Sequence, residues 1–181
     1  VLMGMGEPPD NYEEVRRALK IFQHPSGFQI GKRHITVSTV GLSPMISTFV
    51  EDNLGQLAIS LHGTTEEQRS KIMPVSKKYP IENLIETCKN LKFKGQKRVT
   101  FEYLLIKDFN DSLEDADRLI KLLSPLRCKV NLLAYNENQF TDMKRPEEAR
   151  VLKFQQRLLE KHITVTYRRS RGRDIGAACG Q

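Results

Sequence analysis

The feature that most constrains this chain is an alternation of periods. Short β-branched or apolar runs take turns with segments whose apolar residues recur every three or four positions. Tyr12, Val15, Leu19 and Phe22 fall at helical spacing, with Asn11 as a candidate N-cap. His34–Thr39 alternates like a strand and stops at Gly41. Pro44 to Glu51 reads as a short helix, Gln56–His62 as a strand, Ile81–Leu91 as a helix and Arg98–Ile106 as a strand. Asp111 or Ser112 can cap a helix that carries Leu113, Ala116, Leu119, Ile120 and Leu123 on one face. Cys128–Ala134 is again strand-like. Pro146 suits a first helical position before Val151, Phe154 and Leu158, and Ile163–Tyr167 is a last strand. With the apolar run Val1–Met5 this makes six strands, separated mostly by helices. Such alternation predicts an α/β fold with parallel strands and right-handed crossovers. The pattern does not separate a doubly wound sheet from a barrel. No repeat and no linker divides the 181 residues, so residues 1–181 read as one domain or a large part of one.

Several classes fall away on composition. Hydrophobic residues are 39% of the chain, enough for a sizeable core, and they recur along its whole length, which excludes general disorder. No apolar run approaches the roughly 18 residues that span a bilayer. The three cysteines, Cys88, Cys128 and Cys179, make neither a disulfide framework nor a zinc motif, and a reducing cytoplasm is the natural setting. Val1-Leu2-Met3 resembles the inside of a strand, and Cys179-Gly180-Gln181 is an abrupt end. The expectation is a piece of something longer.

Active sites of parallel α/β folds gather at the C-terminal ends of strands. Polar residues interrupt the apolar runs there: Gly6 and Glu7 after the first, Ser38 and Thr39 after the second, Ser60 and His62 after the third, and Asn136 after Cys128–Ala134. Strand alternation predicts that Ser60 and His62 share a face. Gly4-Met5-Gly6-Glu7-Pro8 is the sharpest of these segments: two glycines permit close backbone approach, and Glu7 presents a carboxylate suited to an ammonium group. The same glycines also serve a plain strand-to-helix turn. Glu102 reads as a buried carboxylate on a strand, paired for structural reasons.

Five segments, in order, resemble the radical S-adenosylmethionine (SAM) RNA adenine methyltransferases of the RlmN/Cfr family. They are Met3-Gly4-Met5-Gly6-Glu7-Pro8, Arg33–Thr39, Ile59-Ser60-Leu61-His62, Asn131–Asn136, and the tail Asp174–Gln181. The resemblance implies a partial (β/α) barrel of the radical SAM type, incomplete at its N-terminal side. It implies that Gly6 and Glu7 bind the methionine end of SAM, while Ser38, Ser60, Leu61, His62 and Asn136 hold the rest. Cys179 would carry the methyl group as S-methylcysteine, and a 5′-deoxyadenosyl radical from a second SAM would activate it. The implied substrate is an adenosine of 23S rRNA, methylated at carbon 2 and often joined by a tRNA adenosine. Cfr-type members act on carbon 8, and a non-catalytic RNA-binding module of the same fold is the reading from another class. An electron donor for a [4Fe-4S] cluster is a further implied partner. The family's cluster loop, C-x3-C-x2-C, does not occur here, so the ligands are expected outside this chain, which alone should be inactive.

The balance of 29 basic and 22 acidic residues, net +7, suits RNA phosphates. Basic residues cluster at Lys32-Arg33, Lys77-Lys78 and Lys92–Arg98, which read as solvated surface. The cluster Arg168, Arg169, Arg171 and Arg173, just before Cys179, reads as the RNA-backbone contact and as a field favouring the thiolate.

Overall fold

The computed structural model describes residues 1–4, 6–95 and 97–169. Its elements run α1 (Tyr12–Gln23), β1 (Thr36–Thr39), α2 (Ser43–Asp52), β2 (Gln56–Ser60), α3 (Glu66–Ile72), α4 (Ile81–Lys89), β3 (Val99–Leu105), α5 (Leu113–Leu123), β4 (Cys128–Ala134), α6 (Glu148–Glu160) and β5 (Val165–Arg168). The strands form one parallel sheet in the order β1-β2-β3-β4-β5. That order settles the choice left open by the sequence. A doubly wound sheet reverses direction at a switch point. Here every step goes to the next neighbour, so right-handed crossovers put all the helices on one side. The arrangement is a partial barrel.

The two faces of the sheet differ accordingly. Val37, Leu57, Ile59, Phe101, Tyr103, Leu132 and Val165 project toward the helices. There they meet Leu19, Phe49, Leu84, Leu119, Phe154 and Leu158 in the core, with Phe154 stacked on Tyr103 at 5.6 Å. The residues between them face the other way, into the barrel. Register places Ser60 beside Glu102, Glu102 beside Asn131 and Asn131 beside Thr166. Asn131 Nδ2 donates to both Glu102 oxygens at 3.2 and 3.0 Å, and Thr166 Oγ1 donates to Asn131 Oδ1 at 2.8 Å. The interior is thus belted by polar groups that satisfy one another, as burial demands. Glu102 is paired as expected.

Some expectations change. Val1–Met5 is not a full strand: Leu2 makes a single parallel bridge to Val37, and Gly4, at φ +137°, turns the chain away. Among the described residues the sheet has five strands where six were expected. Pro146 precedes α6 rather than opening it, and Glu147 takes the N-cap position. The helix α3 was not anticipated, because Glu66–Ile72 carries no apolar period. Ser112 rather than Asp111 caps α5, in a reciprocal capping box with Asp115. No helix among the described residues is long and apolar enough to cross a membrane.

Candidate active site

The site is built on the C-terminal tips of β1, β2 and β4. At the tip of β1, Thr39 is buried, and its hydroxyl donates to Glu7 Oε1 at 2.5 Å. The Val40 N–H donates to Glu7 Oε2 at 2.9 Å. The same hydroxyl oxygen accepts from the N–H groups of Gly41 and Leu42 at 3.0 and 3.3 Å. This tight turn needs φ +107° at Gly41, a backbone region that favours glycine. Glu7 is therefore fastened at the strand tip rather than released to solvent. Partial burial raises its pKa, against the lowering effect of the two hydrogen bonds. Ser38, one residue earlier on the interior face, donates to the Leu2 carbonyl at 3.2 Å.

At the tip of β2, Leu61 is buried and its N–H extends the ladder to the Glu102 carbonyl at 3.0 Å. The strand ends at Ser60, and His62 adopts φ +54°. Strand alternation no longer sets the direction of His62, so the face it was expected to share with Ser60 is not a consequence of strand geometry. Its Nδ1 accepts the Leu104 N–H at 3.1 Å, and its carbonyl accepts from Asn110 Nδ2 at 2.7 Å. Burial, then the nearby Arg69 charge, pushes the imidazole down to about 4. His62 is a neutral hydrogen-bond acceptor tying β2 to β3.

Arg69 had no signal in the sequence, because an arginine on a short charged helix reads as solvated. Yet its side chain is fully buried. It donates to the carbonyls of Val40 at 2.5 Å, Tyr79 at 3.1 Å and, more loosely, Ser60 at 3.5 Å. Glu7 thus holds the Val40 N–H and Arg69 its carbonyl, so the tip of β1 is gripped from both sides. Arg145 plays a related part at β4. It donates to the carbonyls of Ala134 and Tyr135 at 3.3 and 3.1 Å and to Oδ1 of the buried Asn136 at 3.2 Å.

The structure therefore brings Gly6, Glu7, Ser38, Ser60, Leu61, His62 and Asn136 to one end of the sheet. The basic cluster behaves differently. Arg168 lies on the interior face; burial raises the Glu102 pKa, opposed by the Asn131 hydrogen bonds and then by the Arg168 charge. Arg169 forms an exposed ion pair with Glu148 at 2.9 Å, so it is not a free cation. Arg171, Arg173 and Cys179 lie outside the described residues. Burial raises the Cys88 thiol to about 12 and the Cys128 thiol to about 11, so both are protonated and unreactive at neutral pH.

The profile of the radical SAM superfamily matches residues 1–123, about two thirds of the chain. The chain belongs to the radical SAM superfamily. Several relatives are named dual-specificity RNA methyltransferase RlmN. The Myxococcus xanthus protein, RlmN 2, is 49% identical over the whole chain and 48% of its own length. The Nautilia profundicola protein is 47% identical over the whole chain and 51% of its own. This radical SAM chain spans about half the length of the curated relatives it matches. A solved radical SAM methyltransferase from Sphaerobacter thermophilus superposes with a TM-score of 0.94 at 42% identity, over 99% of this chain and 53% of that one. A domain of pyruvate-formate lyase-activating enzyme from Bacteroides vulgatus shares the fold, with a TM-score of 0.68 at 19% identity over 93% of this chain and 98% of that one.

The radical SAM family implies SAM and a [4Fe-4S] cluster. The strand tips suit the first. A carboxylate offers about four lone-pair sites, and Glu7 uses one on each oxygen, which leaves acceptor capacity for an ammonium group. The cluster is not matched: among the described residues no three His, Cys, Asp or Glu stand together as a metal site. Cys88 packs in the core between helices and sheet, away from the strand tips.

Proposed function

We propose that this chain is the SAM-binding and methyl-carrying part of an RlmN-type enzyme. The enzyme would methylate carbon 2 of an adenine in 23S rRNA and of an adenine in tRNA. The observation that carries this reading is the unbroken similarity, 43–49% over the full chain, to relatives named for RlmN. Those names favour carbon 2 over the carbon 8 of Cfr-type enzymes. Residues 1–181 would form one partial-barrel domain, including the tail. The RNA substrates imply a cytoplasmic enzyme, served by an electron donor.

An adenine ring carbon is a poor nucleophile, so direct displacement on a sulfonium is unattractive. SAM, when bound with the cluster of the complete enzyme, supplies both a methyl group and radical reactivity. The work of this chain is positional. Glu7 would accept the ammonium of the methionine moiety, which also relieves the cost of its own burial. Ser38, Ser60, Leu61, His62 and Asn136 would line the remainder, with Arg69 and Arg145 fixing the backbones that carry them. Cys179 would accept the methyl group as a thiolate, its ionisation favoured by Arg168, Arg171 and Arg173. The role of Cys179 rests on the tail motif, and the cluster ligands would come from the rest of the protein.

The test is mass spectrometry of rRNA and tRNA from a strain lacking the gene. The complete gene should restore 2-methyladenosine. The Cys179→Ala form should not, while its SAM affinity stays within about twofold of the parent's. Methylation solely at carbon 8, or loss of SAM binding in that variant, would overturn the assignment.

A further inference from the structure

We propose that the rim formed by the strand starts, opposite the candidate active site, is a docking surface for the phosphate backbone of the RNA. Identifying the polyanion as RNA rests on the function proposed above; the surface itself rests on charge. All five strands are parallel, so their starts lie at one end of the sheet. Lys32 and Arg33 stand before β1. Lys92, Lys94, Lys97 and Arg98 stand before β3. Arg127 and Lys129 flank the first residue of β4, and Lys161 precedes β5. The segments 29–35, 53–56, 90–98, 124–129 and 161–164 thus carry nine Lys or Arg and no Asp or Glu. The rest of the chain holds 20 basic and 22 acidic residues, so the whole positive balance of the protein resides on this rim. Clusters far apart in sequence, which singly read as solvated surface, become one field.

Two further observations argue against a bland surface. Elsewhere many cations are paired, among them Arg16 with Asp52, Lys89 with Glu86, Arg150 with Asp108 and Arg157 with Asp117. Among the described residues none of the nine rim cations stands within ion-pair distance of a carboxylate. The carboxylates on the nearby helix ends, Asp52, Glu86 and Glu160, already face their own arginine or lysine, and Glu51 is exposed; at longer range Lys129 acts on Glu102 and Lys161 on Asp117, which leaves the other seven cations. Nor does the helix dipole account for the excess. The five helices α1, α2, α4, α5 and α6 each lead into a strand at this end, and their C-termini contribute about −2.5 charges in all. Nine cations exceed that severalfold. Lys97 shows how close the charges are. Its ammonium bridges Asn53 Oδ1 at 2.6 Å and the Gly55 carbonyl at 3.0 Å, and burial followed by repulsion from Lys32 lowers its pKa.

Five adjacent strands spread the rim over roughly 20 Å, enough for several phosphates. The cations are spread over several loops, a short 3-10 turn at Lys32–His34 and the start of β4, not along one amphipathic helix, which favours a polynucleotide over a membrane. Along β3 and β4, seven residues each, the rim lies roughly 23 Å from the tips, a span that a folded RNA can bridge.

The test uses the complete enzyme and a 23S rRNA fragment transcript. The variant is K32Q/K92Q/K94Q/K161Q, four exposed side chains that make no side-chain hydrogen bond among the described residues. A control, K71Q/K77Q/K78Q/K153Q, removes the same charge elsewhere. Fluorescence anisotropy gives Kd across a salt series. The rim variant should bind at least tenfold more weakly at low salt and lose about 3 from the slope of log K against log salt, with unchanged SAM affinity. The control should change both far less. Equal losses in both variants, an unchanged slope in the rim variant, or a loss confined to phosphatidylserine vesicles or to acidic proteins would overturn the inference. If the parent enzyme methylates the transcript while the rim variant keeps its slope, this inference alone fails. If the parent neither binds nor methylates RNA, the proposed function fails with it.

Discussion

Replacing His62 by Asn gives a worked prediction about the strand tips. In the folded protein Nδ1 must stay unprotonated to accept the Leu104 N–H, and the neighbouring Arg69 repels a second positive charge. The folded value is about 4 against 6.5 for the free side chain. A depressed folded value means that the neutral form stabilises the fold above pH 6.5, and that this contribution is lost as pH falls toward 4. One unit corresponds to 1.36 kcal/mol, so the full loss is about 3 kcal/mol, of which about 2 kcal/mol has gone by pH 5. Asn tolerates the left-handed backbone that His62 occupies, at φ +54°, and offers a non-titrating oxygen in a comparable place. Urea unfolding followed by circular dichroism between pH 7.5 and 5 should therefore show the parent losing about 2 kcal/mol more than His62→Asn. Parallel pH profiles would mean that the imidazole is not held neutral, and the account of this tip would be wrong.

Glu7→Gln removes the charge and leaves one of two converging donors, the Thr39 hydroxyl or the Val40 N–H, facing an amide NH2. Calorimetry on the complete enzyme should show SAM binding weakened about ten- to a hundredfold; unchanged affinity would remove Glu7 from ligand contact. Phe154→Ala deletes a fully buried ring stacked on Tyr103 and should cost about 3–5 kcal/mol in a denaturant melt. A loss below about 1 kcal/mol would show that the helix–sheet core collapses around the gap.

Much of the architecture was legible because local patterns carried it. Cys128–Ala134 is a strand with the expected bounds, and the helix starting at Ile81 buries Leu84, Ile85 and Cys88 as its spacing predicts. Residues that act at a distance were harder to read. Arg69 and Arg145 serve carbonyls many positions away, and nothing in their neighbourhoods distinguishes them from solvated arginines. His62 reads as sharing a strand face with Ser60, yet one left-handed φ angle takes it off the strand alternation and ties β2 to β3 through the Leu104 N–H.

The division follows from the range of the forces. Periodicity and turn chemistry are short-range, so the amino-acid order alone specified an α/β chain, whereas the place of Glu7 at the tip of β1 depends on its contacts with Thr39 and Val40. Strand order is set by how segments pair across the molecule. Only the folded sheet decided that all the helices lie on one side, that Glu102 and Asn131 satisfy each other inside, and that scattered lysines and arginines meet on one rim. Parallel pairing brings every strand start to the same end, which makes neighbours of charges as far apart in sequence as Lys32 and Lys97.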